Sequence, residues 1–256
     1  MKNNKRIDLN ADLGEYSNEI ELKNEVSLID HITSASIACG GHAGDQASIR
    51  NIMNHCINHN ILFGPHPSYP DKKGFGRSGF SVTDDALKES IIDQIECFMD
   101  IATELETTPT HIKFHGQLYN DCFSDENHSN LCLSAINSAC PNLALVCQPY
   151  SVISELAHQT GIKVIHEAFI DRKYRSNGSL VPRSIEYSII SSLEERVRQA
   201  VTIASEKRVL TQGSSYLEIE ADTLCIHSDH HDSSLTAIEV KKKLLEKNVH
   251  VSSYEI

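Results

Sequence analysis

The side chains able to do chemistry recur at the ends of short apolar runs. Asn10, Asp12 and Glu15 come first, followed by His42 and Asp45, and then His66 and Ser68. Lys113, His115 and Tyr119 follow; Glu167 is trailed by Asp171, Arg172 and Arg183; His227 and Asp229 close the series. Carboxylates and imidazoles are the groups that move protons near neutral pH. A carboxylate with two imidazoles, such as Asp12 with His42 and His66, can also hold a divalent metal. Three separate segments supply that set, so its spacing is not diagnostic and metal binding stays open. Arg77 and Arg183 lie in loops, where their planar forks suit a carboxylate or phosphate.

Each of these residues also has a structural reading, because a polar side chain at a strand end can simply hold a loop. His115 could be a satisfied core histidine. Lys113 points the same way, however, and two such groups together are costly in an apolar core. His42 sits in the glycine-rich turn 40–44 with little to pack on, and His66 is fixed between Pro65 and Pro67. His31, His55, His59, His111, His128, His158 and His250 read as surface or packing residues. His230 and His231 read as surface residues or as extra donors at a rim.

The elements that position these groups follow from periodicity. Ile7, Leu9, Ala11 and Leu13 alternate with Asp8, Asn10 and Asp12, the period of a β-strand. Its polar face is expected in a cleft, with Asp12 nearest the tip. Asp8, two steps deeper, reads as a buried partner for a cation such as Lys113. Further strands are expected at 34–38, 61–63, 112–115, 143–146, 163–167 and 224–227. Asp45 reads as the N-cap of a helix through Ile49, Ile52, Met53 and Cys56. Pro65, Pro67 and Pro70 predict a stiff loop after residue 63. Thr83 opens a long helix to about residue 106. Helices are also expected at 19–31, 131–138, 153–158, 193–205 and 235–246, with a long loop over 169–183.

Strand–helix alternation, repeated about seven times, argues for a parallel sheet with crossover helices in a single domain spanning 1–256. Nearly every strand carries polar residues at its C-terminal end. That favours a barrel over an open sheet, in which only strands near a switch point share a site.

The 256 residues carry a net charge of −12, which disfavours a nucleic-acid partner and gives no basic patch for a membrane surface. No apolar leader and no run of membrane-spanning length is evident, so a cytoplasmic protein is expected. Eight cysteines, none in CxxC spacing, read as reduced structural thiols. Walker A, GxGxxG and GxSxG sequences are absent, so the chain does not read as a self-contained nucleotidase, dehydrogenase or serine hydrolase.

Five motifs together carry a more specific signal. They are Asp8-Leu-Asn-Ala-Asp-Leu-Gly-Glu15, Ser36-Ile-Ala-Cys-Gly-Gly-His-Ala-Gly-Asp45, His66-Pro-Ser-Tyr-Pro-Asp71 with Gly74-Phe-Gly-Arg77, Lys113-Phe-His-Gly-Gln-Leu-Tyr-Asn120, and Glu167-Ala-Phe-Ile-Asp-Arg172 through Leu180-Val-Pro-Arg183. In this order they resemble the LamB/YcsF family over nearly the whole chain. The resemblance implies an irregular seven-stranded β/α barrel related to polysaccharide deacetylases. It also implies the role of the A subunit in an ATP-dependent 5-oxoprolinase, which opens 5-oxoproline to glutamate with subunits B and C. Compared with the family pattern, Phe114 replaces proline, Gln117 replaces alanine, Pro65 replaces alanine, and Gly41 replaces a larger residue. The late segment His227-Ser-Asp-His-His-Asp-Ser lacks the usual glycine and proline.

For such a reaction, Asp12, His42, His66, Lys113 and His115 are the candidate catalytic residues. Asn10, Glu15, Asp45, Arg77, Tyr119, Glu167, Arg183, His227 and Asp229 are the candidate substrate-binding residues. Asp12 or Glu15 would activate water, and His42 or His66 would shuttle protons. Lys113, His115 or amides of the 40–44 turn would meet the developing oxyanion. Arg77, Lys113 or Arg183 would hold a phosphate derived from ATP. A stand-alone metal-dependent deacetylase and a non-catalytic binding subunit remain alternatives.

Overall fold

A computed structural model describes residues 5–77, 82–228 and 232–255. The strands are β1 (Lys5–Leu13), β2 (Ser34–Ala38), β3 (Leu62–His66), β4 (His111–Lys113), β5 (Ala144–Cys147), β6 (Val164–Phe169), β7 (Arg208–Leu210), β8 (Tyr216–Glu218), β9 (Thr223–His227) and β10 (Val249–Val251). The helices are α1 (Glu19–Ile29), α2 (Gln46–His59), α3 (Asp84–Glu104), α4 (Gly116–Ser124), α5 (Glu126–Ala139), α6 (Val152–Thr160), α7 (Leu193–Glu206) and α8 (Ser233–Glu246). None of these helices is long and apolar enough to cross a membrane.

Seven parallel strands run in the order β3-β2-β1-β9-β6-β5-β4, with β10 added beside the start of β1. The outer faces of the strands are apolar: Leu9, Ala11, Leu13, Ile112 and Leu224 join the main hydrophobic core. Helices α7, α8, α1, α2, α3, α5 and α6 pack side to side in that order around it. Their starts follow side-chain chemistry, as Asn18, Asp45, Thr83, Asp125, Ser151 and Ser192 each accept a backbone N–H at an N-cap.

The sheet curls until β3 and β4 meet. Among the described residues no ladder joins them. Two backbone hydrogen bonds close the seam, from Thr110 N–H to the Phe63 carbonyl at 2.9 Å and from His115 N–H to the Pro67 carbonyl at 2.9 Å. Gly64 allows this approach, since a Cβ there would fall 1.7 Å from the His111 carbonyl oxygen.

The seam also corrects the expected loop after residue 63. Strand β3 continues through Pro65 to His66. Alternation places the nitrogen of Pro65 on the β4 side with the Phe63 carbonyl, where no ladder donor is needed, so proline is tolerated. Three further departures are local. Gly116 starts α4 immediately, so Tyr119 lies on a helix. The 169–183 segment makes isolated bridges through Arg172 and Tyr174. The β7–β8 hairpin and β10 carry no periodic signal, being three residues each.

Candidate active site

Asp8, Asn10 and Asp12 point into the barrel, as strand parity requires. Asp12 on β1 meets Lys113 on β4, and these strands are far apart in the sheet order, so the contact crosses the interior. Lys113 Nζ lies 2.8 Å from Asp12 Oδ1 and 2.6 Å from Glu167 Oε1. It also reaches Asn10 Oδ1 at 3.5 Å and Cys225 Sγ at 3.4 Å. Burial works against the ammonium, but Asp12, Cys225 and Glu167 outweigh it and hold the lysine well above its ordinary range. Asp12 mirrors this: burial resists its charge, and His66 and Lys113 hold its carboxyl well below the usual range. Glu167 is fully buried, and its other oxygen accepts the Tyr119 hydroxyl at 2.7 Å.

Asp8 is not a partner of Lys113. Its carboxylate accepts hydroxyls from Thr33 at 2.6 Å, from Ser34 at 2.6 Å and from Thr223. Burial pushes it up to about 6, because no cation compensates. Asn10 donates to Thr223 Oγ1 at 2.7 Å and lies below the cavity, where it braces Lys113.

Beside the lysine, three histidines and Glu15 form a second cluster. His42 and His115 stack with ring centroids 3.5 Å apart, and His66 packs edge-on to both. His42 Nε2 is 2.9 Å and His115 Nδ1 is 3.2 Å from Glu15 Oε1. His115 Nδ1 is 3.1 Å from His66 Nε2, which lies 3.4 Å from Asp12 Oδ2. Burial lowers His42 and pushes His115 down to about 3, favouring neutral imidazoles. Burial also resists ionisation of Glu15, yet His115 and His42 hold its carboxyl well below the usual range. These four residues form a group whose ligand atoms lie within 4.8 Å of one another, so they could hold a metal ion.

Sequence reasoning missed the supports of this cluster. Glu25 of α1 accepts the backbone N–H groups of Gly14 at 2.6 Å and Glu15 at 3.0 Å, fixing the turn that carries Glu15. Burial, then the Glu15 charge, pushes the Glu25 carboxyl up to about 8. Gln94 of α3 clamps the backbone of Ser68 through two hydrogen bonds. Position 41 must be small, because a Cβ there would lie 2.3 Å from Gln94 Oε1 and 2.4 Å from Ser68 Oγ. A polar helical residue facing a strand tip carries no signal in a lone sequence.

A cavity of about 420 Å³ opens over both clusters. Its floor includes Asp12, His66, Lys113, His115 and Tyr119, and its wall includes Arg77, Arg172, Arg175, Arg183 and His227. Nothing in the sequence pointed to Arg175 as part of that wall. Burial, then Arg183, lowers Arg172 to about 10, a sign of crowded cations. His227 is held by Asp171 at 2.7 Å and stacks on Phe169. Phe114 and Gln117, two departures from the family pattern, also line the cavity. Asp45 stands apart: it is exposed, caps α2 through Ser48, and lies outside the cavity lining. Asp229, with His230 and His231, lies outside the described residues.

Comparison with known proteins fits this geometry. The A subunit of a 5-oxoprolinase from Pyrococcus abyssi is 34% identical over 246 residues, covering 96% of each chain. Its counterpart from Staphylococcus aureus is 31% identical over 252 residues, covering 97% of this chain and 99% of its own. The lactam utilization protein of Thermus thermophilus superposes with a TM-score of 0.86 at 30% identity, covering 97% of this chain and all of its own (100%). A family 4 carbohydrate esterase from Streptomyces lividans, at 11% identity and a TM-score of 0.50 over 97% of this chain and 92% of its own, shares the fold alone. Residues 7–255 match the LamB/YcsF family, and the chain belongs to it.

Proposed function

We propose that the chain acts as the A subunit of a cytoplasmic 5-oxoprolinase, opening the lactam of 5-oxoproline to give glutamate with subunits B and C and coupled to ATP hydrolysis. The observation that carries this reading is the cavity's division into an arginine wall over an acid–base floor. 5-Oxoproline is a small ring with one carboxylate and one amide. The wall suits its carboxylate, or a phosphate placed on the lactam oxygen by ATP. The floor suits attack at the carbonyl carbon, and the volume falls in the ordinary range for small-molecule sites.

Asp12 is the group best placed to activate water. It is ionised, one oxygen is held by Lys113, and the other faces His66 Nε2 at 3.4 Å. The Lys113 ammonium is already directed at Asp12, Glu167, Asn10 and Cys225, so it fixes the base rather than receiving the oxyanion. That job passes to the arginines. The chain has no Walker A sequence, so nucleotide handling is assigned to the partner subunits.

Mixing this chain with competent B and C subunits, 5-oxoproline and ATP should release glutamate, with none when ATP or this chain is omitted. No release from the full mixture would overturn the reading.

A further inference from the structure

The hydrogen bonds around the three histidines fix which nitrogen of each ring carries the proton. His66 Nδ1 lies 2.8 Å from the Lys113 carbonyl, which can only accept, so that nitrogen is protonated. His115 Nε2 lies 3.1 Å from the Phe75 carbonyl, with the same consequence. His42 Nδ1 lies 3.0 Å from Ser68 Oγ, whose own hydrogen goes to the Tyr69 carbonyl at 2.9 Å. Ser68 therefore accepts, and His42 Nδ1 is the donor. The other nitrogen of each ring is thus the one turned inward, away from these partners.

Those three nitrogens converge on one another and on a carboxylate. Glu15 Oε1 is 2.9 Å from His42 Nε2 and 3.2 Å from His115 Nδ1, and His115 Nδ1 is 3.1 Å from His66 Nε2. With the outer nitrogens committed to donating, these inward atoms can be joined only by protons or by a cation, and one metal ion could engage all four ligand atoms, which lie within 4.8 Å of one another. Ligands around a tetrahedral ion bonded at the usual zinc–nitrogen length stand roughly 3.3 Å apart. Histidines that bind metals almost always donate their outer N–H to a carbonyl or similar group, as all three do here.

We infer that Glu15, His42, His66 and His115 form a binding site for one divalent transition-metal ion, Zn²⁺ or a close relative. Nitrogen-rich ligands exclude Mg²⁺ and Ca²⁺ as the natural occupants. His66 and His115 also line the cavity, so an ion held there would meet a ligand in it and supply Lewis-acid chemistry. The inference stands apart from the 5-oxoprolinase reading, since it concerns this chain alone and needs neither substrate nor partners.

The test uses the full-length chain, stripped with a chelator and titrated with Zn²⁺ or Co²⁺. Elemental analysis after gel filtration should find one ion per chain, and bound Co²⁺ should show the intense visible bands of a site with few ligands. Glu15→Gln, which keeps shape and removes charge, and His42→Ala should each weaken Co²⁺ binding by at least about 100-fold. Ser68→Ala, which frees the His42 tautomer, should weaken it by about 10–100-fold. His158→Ala, on α6 and outside the set, should bind as wild type. A wild-type chain that retains no ion at micromolar Zn²⁺ would overturn the inference, and so would an ion whose affinity ignores Glu15→Gln and His42→Ala.

Discussion

Two buried polar clusters share the barrel mouth and solve the same problem in opposite ways. Around Lys113 the groups are charged, and two carboxylates balance one ammonium. Around Glu15 burial disfavours charge on His42 and His115, and the outer N–H groups of the three imidazoles are satisfied by Lys113 O, Phe75 O and Ser68 Oγ. The first cluster depends on pairing, because a buried charge without a counter-charge is very costly. The second depends on tautomer control and could accept a cation. Asp12 joins them, with one oxygen on Lys113 and the other toward His66.

The difference between the two clusters is greatest at Glu167. Glu167→Ala should cost roughly 3–5 kcal/mol in urea unfolding, because it strips a counter-charge from a buried ammonium. His42→Ala, in the imidazole cluster, should cost only about 1–3 kcal/mol. Equal losses would show that charge pairing is not what separates the two regions.

A carboxylate on the same strand face sharpens the contrast. Asp8 has three hydroxyls where Asp12 has a cation, and its pKa rises from 3.8 to about 6. A raised folded-state pKa makes the native protein hold this proton more tightly than the unfolded chain. The associated stability is fully present below pH 3.8 and is lost as pH rises through about 6. It amounts to about 3 kcal/mol. Asp8→Asn should flatten the change in unfolding free energy across that window, whereas an unchanged slope would refute the assignment.

On the histidine side, Gly41→Ala forces a methyl into Ser68 and Gln94 and should cost about 1–3 kcal/mol. An effect within ~0.5 kcal/mol would mean that this wall is softer than described. The smallest stability effect is expected at the cavity rim. Arg183→Ala should shift unfolding by less than about 0.5 kcal/mol. It should still raise KM for 5-oxoproline by roughly 10-fold, with kcat less affected.

Much of this architecture is written in alternation. The period of two from Ile7 to Leu13 places Asp12 inside the barrel, and the same rule pairs Lys113 with His115 on an inner face. Partnership is another matter, because it depends on strand order. Asp8 looks available to Lys113 until β2 and β9 are set on either side of β1, bringing Ser34 and Thr223, with Thr33 just ahead of β2, onto its oxygens. Asp45 illustrates a different limit. Its cap role is legible, yet inclusion in a motif also suggests the site, and the exposed helix start decides between them. Glu25 and Gln94 are illegible because their work is to hold backbone groups, which no residue pattern announces. Gly41 becomes intelligible only with the structure: the family's larger residue there is incompatible with Gln94 and Ser68 as they sit in this chain.

Asp12 is where the two clusters meet. The most direct measurement is the rate of ATP-dependent glutamate release from 5-oxoproline by the complex reassembled with Asp12→Asn in place of the wild-type chain. A loss of at least about 1,000-fold, with assembly intact by gel filtration, is predicted for removal of the general base. A rate near wild type would contradict it and leave the chain with a binding role only.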